Sequence, residues 1–297
     1  MTSEITLFVN PTAGRGRGAR AAQPAAAALR AAGFAVRTVV GRDAADALVR
    51  AQEAVRGGTG ALIAVGGDGM VSLALQAVAG TQVPLGVVAV GTGNDFARAT
   101  GLPLRDPAAA GRVIAEALKA GQVRSLDLGR VGGRWFGSVL ASGFDSRIND
   151  RGNRMRWPRG RLRYDLAMLA ELAVTRPIPF RLTLDDGEPR ELAATLVAVG
   201  NGSSYGGGLR MCPGAVLDDG LFDITVVGVC SRATLLRVFP RVYRGAHLSH
   251  PAVSVHRARK VRLEAEGLTG YADGEPVGPL PLTAEAVPGA VRVLAAG

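Results

Sequence analysis

Short apolar runs alternate with helix-length stretches through the first third of the chain. Residues 5–9 predict a strand, ended by Asn10-Pro11 and a loop over 12–18. A helix is expected over 19–32, with Pro24 disturbing its first turns. Residues 34–40 and 44–55 give a second strand and helix. The run 61–65 has two β-branched members and suits a strand buried on both faces; a helix over 71–79 and a strand over 85–90 follow. Strand and helix alternating over short links predict a parallel α/β sheet with ligand sites at the carboxyl ends of its strands.

Near residue 123 the rhythm changes. Residues 123–131 and 134–141 read as a hairpin around Gly132-Gly133. Further strands are expected at 180–184, 192–199, 221–227, 253–265 and 291–294, with helices near 162–174 and 233–244. The expectation is two closely packed domains, an α/β domain over 1–123 and a β-sandwich over 124–297.

Composition narrows the class. Of 297 residues, 47% are apolar and 20% charged, as in a soluble globular protein. No apolar run is long enough for a transmembrane helix, and MTSEITLFVN lacks the basic start of a secretion signal. Cys212 and Cys230 read as reduced thiols of a cytoplasmic protein. The net charge of +10, nearly all arginine, favours polyanions: nucleic acid, nucleotide phosphates or an anionic membrane face. Coding bias toward Ala, Arg and Gly is the alternative source of that charge.

Three glycine-bearing turns carry the candidate chemistry. In Ala61–Met70, ALIAVGGDGM, a strand breaks at Gly66, Gly67, Asp68 and Gly69 before a helix. Backbone N–H groups are thereby exposed at a helix N-terminus, where they bind phosphate. Asp68 would repel bare phosphate and fits a loop that also meets Mg²⁺ or a hydroxyl. Gly14-Arg15-Gly16-Arg17-Gly18-Ala19 satisfies the dinucleotide pattern G-x-G-x-x-A. No Asp or Glu lies between residues 20 and 42 to hold a ribose, so the reading is a phosphate loop assisted by Asn10, Arg15 and Arg17. The third turn is Gly91-Thr92-Gly93-Asn94-Asp95. Neither lysine follows a glycine, which excludes a P-loop. Side by side on one sheet edge, the three turns describe a nucleotide cleft.

These residues resemble a known family. Asn10-Pro11 with Ala13-Gly14, Gly66-Gly67-Asp68-Gly69 and GTGNDFAR at 91–98 are similar to the soluble diacylglycerol kinase and sphingosine kinase-like lipid kinases. The likeness continues through Leu217-Asp218-Asp219-Gly220-Leu221 and Asp273-Gly274-Glu275-Pro276, in the same order. It implies an ATP-binding α/β domain, a β-sandwich and an active site in the interdomain cleft. ATP would be held by Asn10, Thr38, Gly66, Gly67, Asp68, Gly69 and Thr92. Mg²⁺ would be held by the Asp219 carboxylate with the Val216 and Leu221 carbonyls. Glu275 would be the general base, Asp127 a second acid of the site, and Asp145 a contact to the lipid head group. The pattern departs at Met70 and Ser72, where the family has threonine and asparagine. Phosphorylating an alcohol needs a base and a cation, so the carboxylates suit the chemistry on their own terms.

Other readings stand beside this one. Asp218-Asp219-Gly220 and Asp273-Gly274 are also ordinary turn and hairpin sequences. Seven arginines between 146 and 164, interleaved with Met155, Trp157, Leu162 and Tyr164, suggest a membrane-docking edge; a solvated loop and a nucleic-acid groove are the rivals. His247, His250 and His256 read as surface residues. The expected activity is transfer from ATP to a hydroxyl of a membrane lipid, most simply diacylglycerol, by a cytoplasmic, peripherally membrane-associated enzyme. No nucleic-acid partner is expected, and an edge strand of the second domain offers a route to a homodimer. The alternatives are an NAD kinase-like enzyme with a soluble acceptor and a nucleotide-binding regulator without catalysis. The acceptor could equally be a sphingoid base, phosphatidylglycerol or a polyprenol.

Overall fold

The computed structural model describes residues 4–10, 13–144 and 176–295, with 147–148, 151, 155, 166–167 and 170–171. It forms two compact units. The first holds residues up to 128, 217–219 and those from 287 onward; the second holds 129–216 and 220–286.

In the first unit β1 (Glu4–Val9), β2 (Ala35–Val40), β3 (Leu62–Gly66) and β4 (Leu85–Ala89) make a parallel sheet in the order β2-β1-β3-β4. Strands β3 and β4 are buried at every position, as unbroken apolar runs require. The order reverses between β1 and β3, and in open α/β sheets such a reversal opens a crevice at the carboxyl ends of the two strands. Asn10 follows β1 and the Gly66–Asp68 turn follows β3, so both stand at that reversal; the Asn10 N–H donates to the Val65 carbonyl at 3.3 Å.

The helices are α1 (Ala13–Ala31), α2 (Ala44–Arg56), α3 (Asp68–Val78), α4 (Asp95–Ala99) and α5 (Pro107–Ala120). Helix α1 starts at Ala13, so the stretch expected as a phosphate loop over 12–18 is helical from its second residue. Glycine costs a helix only about 1 kcal/mol per residue, and alanines on either side carry it. Pro24 stays inside the helix. Helix α5 is absent from the sequence-based elements although its signals are present. Asp106 caps it, accepting from the Ala109 N–H at 2.9 Å, Pro107 opens it, and Gly121 closes it at φ 64°.

The alanines of α1 have a packing reason. Ala21, Ala25, Ala26 and Leu29 face Ala110, Ile114, Ala117 and Leu118 of α5 in one core cluster. A Cβ at Gly111 would lie 2.9 Å from the Ala25 carbonyl oxygen and 3.0 Å from the Ala28 Cβ. The helices therefore cross at a contact that admits no side chain. Gly111→Ala is expected to lower stability by about 1–3 kcal/mol through overpacking, despite alanine's better helix propensity. Its unfolding midpoint, measured in urea against the parent, checks this.

The second unit is antiparallel and built around β9 (Arg190–Gly200). The other strands are β5 (Arg124–Val131, from residue 129), β6 (Arg134–Phe136), β7 (Val139–Gly143), β8 (Ile178–Leu184), β10 (Phe222–Gly228), β11 (Val253–Ala258), β12 (Lys260–Glu264), β13 (Thr269–Ala272), β14 (Glu275–Pro279) and β15 (Leu282–Val293). One edge of β9 pairs β10; along the other, β8 takes its first half and β7 its second. The β5–β6 hairpin turns on Gly132 and Gly133, both at positive φ, as its sequence suggests. Phe136 and Phe222 stack inside with ring centroids 5.7 Å apart.

The single strand expected over 253–265 is two strands. Asp185 Oδ1 accepts the Arg259 and Lys260 N–H groups at 2.9 and 3.0 Å, and the chain changes partners there: β11 pairs β10, β12 pairs β8 and β15. The strand expected at 291–294 is the end of β15. That strand finishes in the first unit with Val293 parallel to Leu85 of β4.

Helix α6 (Arg232–Val242), capped by Ser231, agrees with expectation and leads to a 3₁₀ turn, Ala246–Ser249. On that turn His247 is buried, not exposed as the sequence suggested. Its Nε2 lies 3.1 Å from the Met211 carbonyl oxygen, and burial pushes its pKa down. Cys212 and Cys230 are free thiols; burial pushes Cys212 up to about 12, so it is inert at neutral pH.

Candidate functional site

The Gly66–Gly67–Asp68 turn enters α3 through Gly67, which caps it with no side-chain hydrogen bond. The first amides of α3 are therefore left without a capping side chain, the arrangement that receives phosphate oxygens. Gly69 is exposed in that first turn, and Met70 and Ser72 are buried. Met70 stands where a threonine hydroxyl would flank the turn and serves the core instead.

The 91–95 turn packs against this one, backbone on backbone. A Cβ on Gly91 would sit 2.5 Å from the Gly67 Cα and 2.8 Å from Asn94 Oδ1, and one on Gly67 would sit 3.0 Å from the Gly91 Cα. Glycine is required at both positions because the two turns share the space a side chain would fill. Asp68 fastens them together. Its Oδ2 accepts the Asn94 N–H and its Oδ1 the Asp95 N–H, each at 2.7 Å. The sequence reading, which placed Mg²⁺ or a hydroxyl against this carboxylate, did not foresee these bonds. Asn94 adopts φ 58°, accepts the Gly91 N–H at 2.9 Å and returns a bond to the Gly91 carbonyl at 3.0 Å. Arg98 closes the turn from outside through the Gly93 carbonyl at 3.1 Å and Asp95 at 3.6 Å. Thr92 is left exposed at its tip. Thr38 is exposed on edge strand β2, opposite Leu7 of β1.

Asp127 is buried on β5, and its Oδ1 accepts the Gly289 N–H at 2.8 Å. Its own N–H donates to the Leu217 carbonyl at 2.6 Å, which anchors the start of the Asp218-Asp219-Gly220 turn. Arg124 lies 3.9 Å from Asp218, while the Asp219 side chain is exposed and Gly220 turns the chain at φ 74°. The Asp219 carboxylate and the Val216 and Leu221 carbonyls are hard oxygen donors, the ligand type that Mg²⁺ takes. Among the described residues no cluster of three His, Cys, Asp or Glu side chains could hold a metal.

Asp273 and Gly274 form the two-residue turn between β13 and β14, at φ 50° and 83°, with Ala272 paired to Glu275. The hairpin reading of Asp-Gly is thus right, and it has a further consequence. Asp273 accepts the Gly137 and Ser138 N–H groups at 2.8 Å and the Val139 N–H at 3.3 Å. That fixes the hairpin whose next residue, Glu275, is exposed to solvent. Asp145 lies outside the described residues, as does most of the arginine-rich 146–164 segment. Of that segment's arginines, Arg151 is ion-paired to the buried Glu171 at 2.5 Å.

The family described as the diacylglycerol kinase catalytic domain matches residues 4–131, and the one described as the YegS C-terminal NAD kinase beta sandwich-like domain matches 138–295. A diacylglycerol kinase of Mycobacterium tuberculosis is 48% identical over 98% of this chain and 94% of its own length. The chain belongs to the diacylglycerol kinase family. It is a lipid kinase, with an N-terminal α/β domain on a parallel sheet and a C-terminal β-sandwich domain. A putative diacylglycerol kinase of Bacillus anthracis shares the fold at a TM-score of 0.81 and 24% identity, covering 99% of this chain and 95% of that one. An NAD kinase of Archaeoglobus fulgidus, solved in complex with ATP, follows at 0.55 and 13%, covering 99% and 93%.

Within this kinase the carboxylates divide into two groups. Asp68, Asp127 and Asp273 accept backbone N–H groups, whereas Asp219 and Glu275 are exposed. Sequence reasoning missed Asn94 and Gly289 as partners. The left-handed Asn94 had a local signal, an Asn beside a Gly before a short helix. Gly289 had none, because it meets Asp127 across 162 positions of chain.

Proposed function

We propose that this lipid kinase transfers the γ-phosphoryl group of ATP to the free hydroxyl of diacylglycerol, giving phosphatidic acid and ADP. The observation that carries the nucleotide half is the uncapped entry of α3 beside the 91–95 turn, at the point where the sheet order reverses. The name of the M. tuberculosis relative supports diacylglycerol as the acceptor.

In this reading the amides of Gly67 to Gly69 bind phosphate oxygens, and Asn10, Thr38 and Thr92 complete the nucleotide site. Glu275 takes the proton from the acceptor hydroxyl, whose oxygen forms the new bond to phosphorus as the bond to the ADP oxygen breaks. Asp219 holds Mg²⁺ with the Val216 and Leu221 carbonyls; when bound, the ion neutralises charge on the phosphates. Asp127 is a positioning residue in this scheme, fixing the start of the Asp219 turn through Leu217. Asp145 is assigned to the lipid head group from family resemblance. ATP is the phosphoryl donor and Mg²⁺ the metal. The enzyme works at the cytoplasmic face of a membrane, which it touches without crossing; no described helix is long and apolar enough to span one.

A labelled-ATP assay against diacylglycerol, a sphingoid base, phosphatidylglycerol, a polyprenol and NAD tests the acceptor. Label in phosphatidic acid well above every other product is expected. Label in NADP instead would transfer the chain to the soluble-acceptor chemistry of its more distant fold relative, and ADP formation indifferent to lipid would leave no lipid acceptor.

A further inference from the structure

Helix α6 buries little of itself. Val242 is its one buried residue and sits in a cluster with Val139, Ala141, Leu196, Ala198, Met211 and Cys212. Leu236 is 53% exposed and Tyr243 40%, and Val229, just before the helix, is 62% exposed. At 3.6 residues per turn, Leu236, Phe239 and Tyr243 fall on one stripe, and Phe239 meets Tyr243 edge-on with centroids 6.2 Å apart. Beside that stripe Arg237, Arg241 and Arg244 fall on another, all exposed, with Arg232 at the start of the helix.

The charge around this helix is one-sided. Residues 224–263 contain eight Arg or Lys and no Asp or Glu. Two of the strand arginines are neutralised locally, Arg257 by Asp223 at 3.1 Å and Arg262 by Glu264 at 3.0 Å. Among the described residues, none of the four arginines of α6 and its C-terminal turn, Arg232, Arg237, Arg241 and Arg244, has an ion pair. An apolar stripe flanked by unpaired arginines on a partly buried helix is the pattern of an element that lies in the plane of a membrane interface.

We propose that α6 with Tyr243 and Arg244 docks this kinase onto an anionic bilayer, with Leu236, Phe239 and Tyr243 entering the head-group boundary and the arginines pairing with lipid phosphates. The occupant is a bilayer because arginine complements an anionic leaflet while tyrosine and phenylalanine favour its boundary. The inference rests on the lipid-kinase reading, which requires an acceptor that resides in a membrane.

The test is sedimentation of the full chain with phosphatidylcholine vesicles, with and without phosphatidylglycerol. Each arginine near the surface is worth roughly fivefold in partitioning. The Arg237→Gln/Arg241→Gln/Arg244→Gln variant is therefore expected to lose about 100-fold of its binding to the anionic vesicles. The same charge removed at Arg30, Arg56 and Arg112 should change it little. Leu236→Ser with Tyr243→Ser should weaken binding even in low salt. In the unaltered protein, anionic vesicles should slow amide hydrogen exchange over 232–244, a result that does not depend on any variant folding. Unchanged partitioning of the triple variant, or exchange protection that falls elsewhere, overturns the proposal. So does a loss of self-association in the triple variant with vesicle binding intact, because the face would then be a contact between two copies. Turnover on a short-chain, water-dispersed diacylglycerol separates the two readings. The triple variant should keep it, whereas failure of the unaltered protein on that substrate removes the acceptor and leaves the vesicle result to decide docking.

Discussion

Glu275→Gln is expected to slow phosphoryl transfer about 10²–10⁴-fold, a barrier rise of roughly 3–5 kcal/mol, with nucleotide affinity unchanged. The amide has the shape of the carboxylate but cannot take a proton. Glu275 opens β14, and its backbone is paired to Ala272 across a turn that Asp273 fixes through Gly137, Ser138 and Val139. None of those bonds involves the Glu275 side chain, so the substitution leaves the hairpin intact and the melting temperature should not move. Single-turnover rates with saturating nucleotide, alongside the Kd of a non-hydrolysable ATP analogue, make the measurement. A rate near that of the parent would remove Glu275 from the role of base.

Asp68→Asn should show the opposite pattern, a structural loss with an effect on nucleotide binding. The Asp68 carboxylate offers one oxygen to each of two successive N–H groups, Asn94 and Asp95, at 2.7 Å. Asparagine has a single acceptor oxygen, so one amide loses a charge-assisted bond and meets an N–H₂ group instead. That exchange costs about 2–4 kcal/mol. The 91–95 turn would loosen from the Gly67 backbone, and the KM for ATP should rise by roughly tenfold or more, in line with that cost. Were Asp68 chiefly a metal ligand, the asparagine variant would melt at the parent temperature and its defect would shrink at high Mg²⁺. Thermal melts and ATP titrations at two metal concentrations separate these outcomes.

The parallel sheet was legible because runs such as 61–65 and 85–90 are apolar throughout, and only a strand covered on both faces tolerates that. The glycine turns after β3 and β4 were legible as turns. The third was not a turn, since Gly14 through Gly18 lie in α1, which starts at Ala13 and packs on α5 further along, from Ala21 to Leu29. The strand order was out of reach, because β1 lies between β2 and β3 through pairings that leave no mark on local sequence. The same holds for β15, whose first residues pair β12 and whose last pairs β4.

At the site, motif spacing could not show which of the carboxylates are bonded to backbone N–H groups elsewhere in the chain. Asp68 and Asp273 sit in similar aspartate–glycine contexts to Asp219. Their backbone partners lie 26 and about 136 positions away, and only the folded chain reveals them. Met70 looked like a lost active-site hydroxyl; its burial shows that the position also serves the core.

The most direct single measurement is a Mg²⁺ titration of phosphatidic acid formation from diacylglycerol and ATP, run on the parent and on Asp219→Asn. Phosphatidic acid should form only with metal, and the variant should need at least about tenfold more Mg²⁺ for half its maximal rate, at an unchanged melting temperature. Coincident metal curves for the two proteins, or no phosphatidic acid from either, would contradict the assignment of Asp219 and the kinase chemistry built around it.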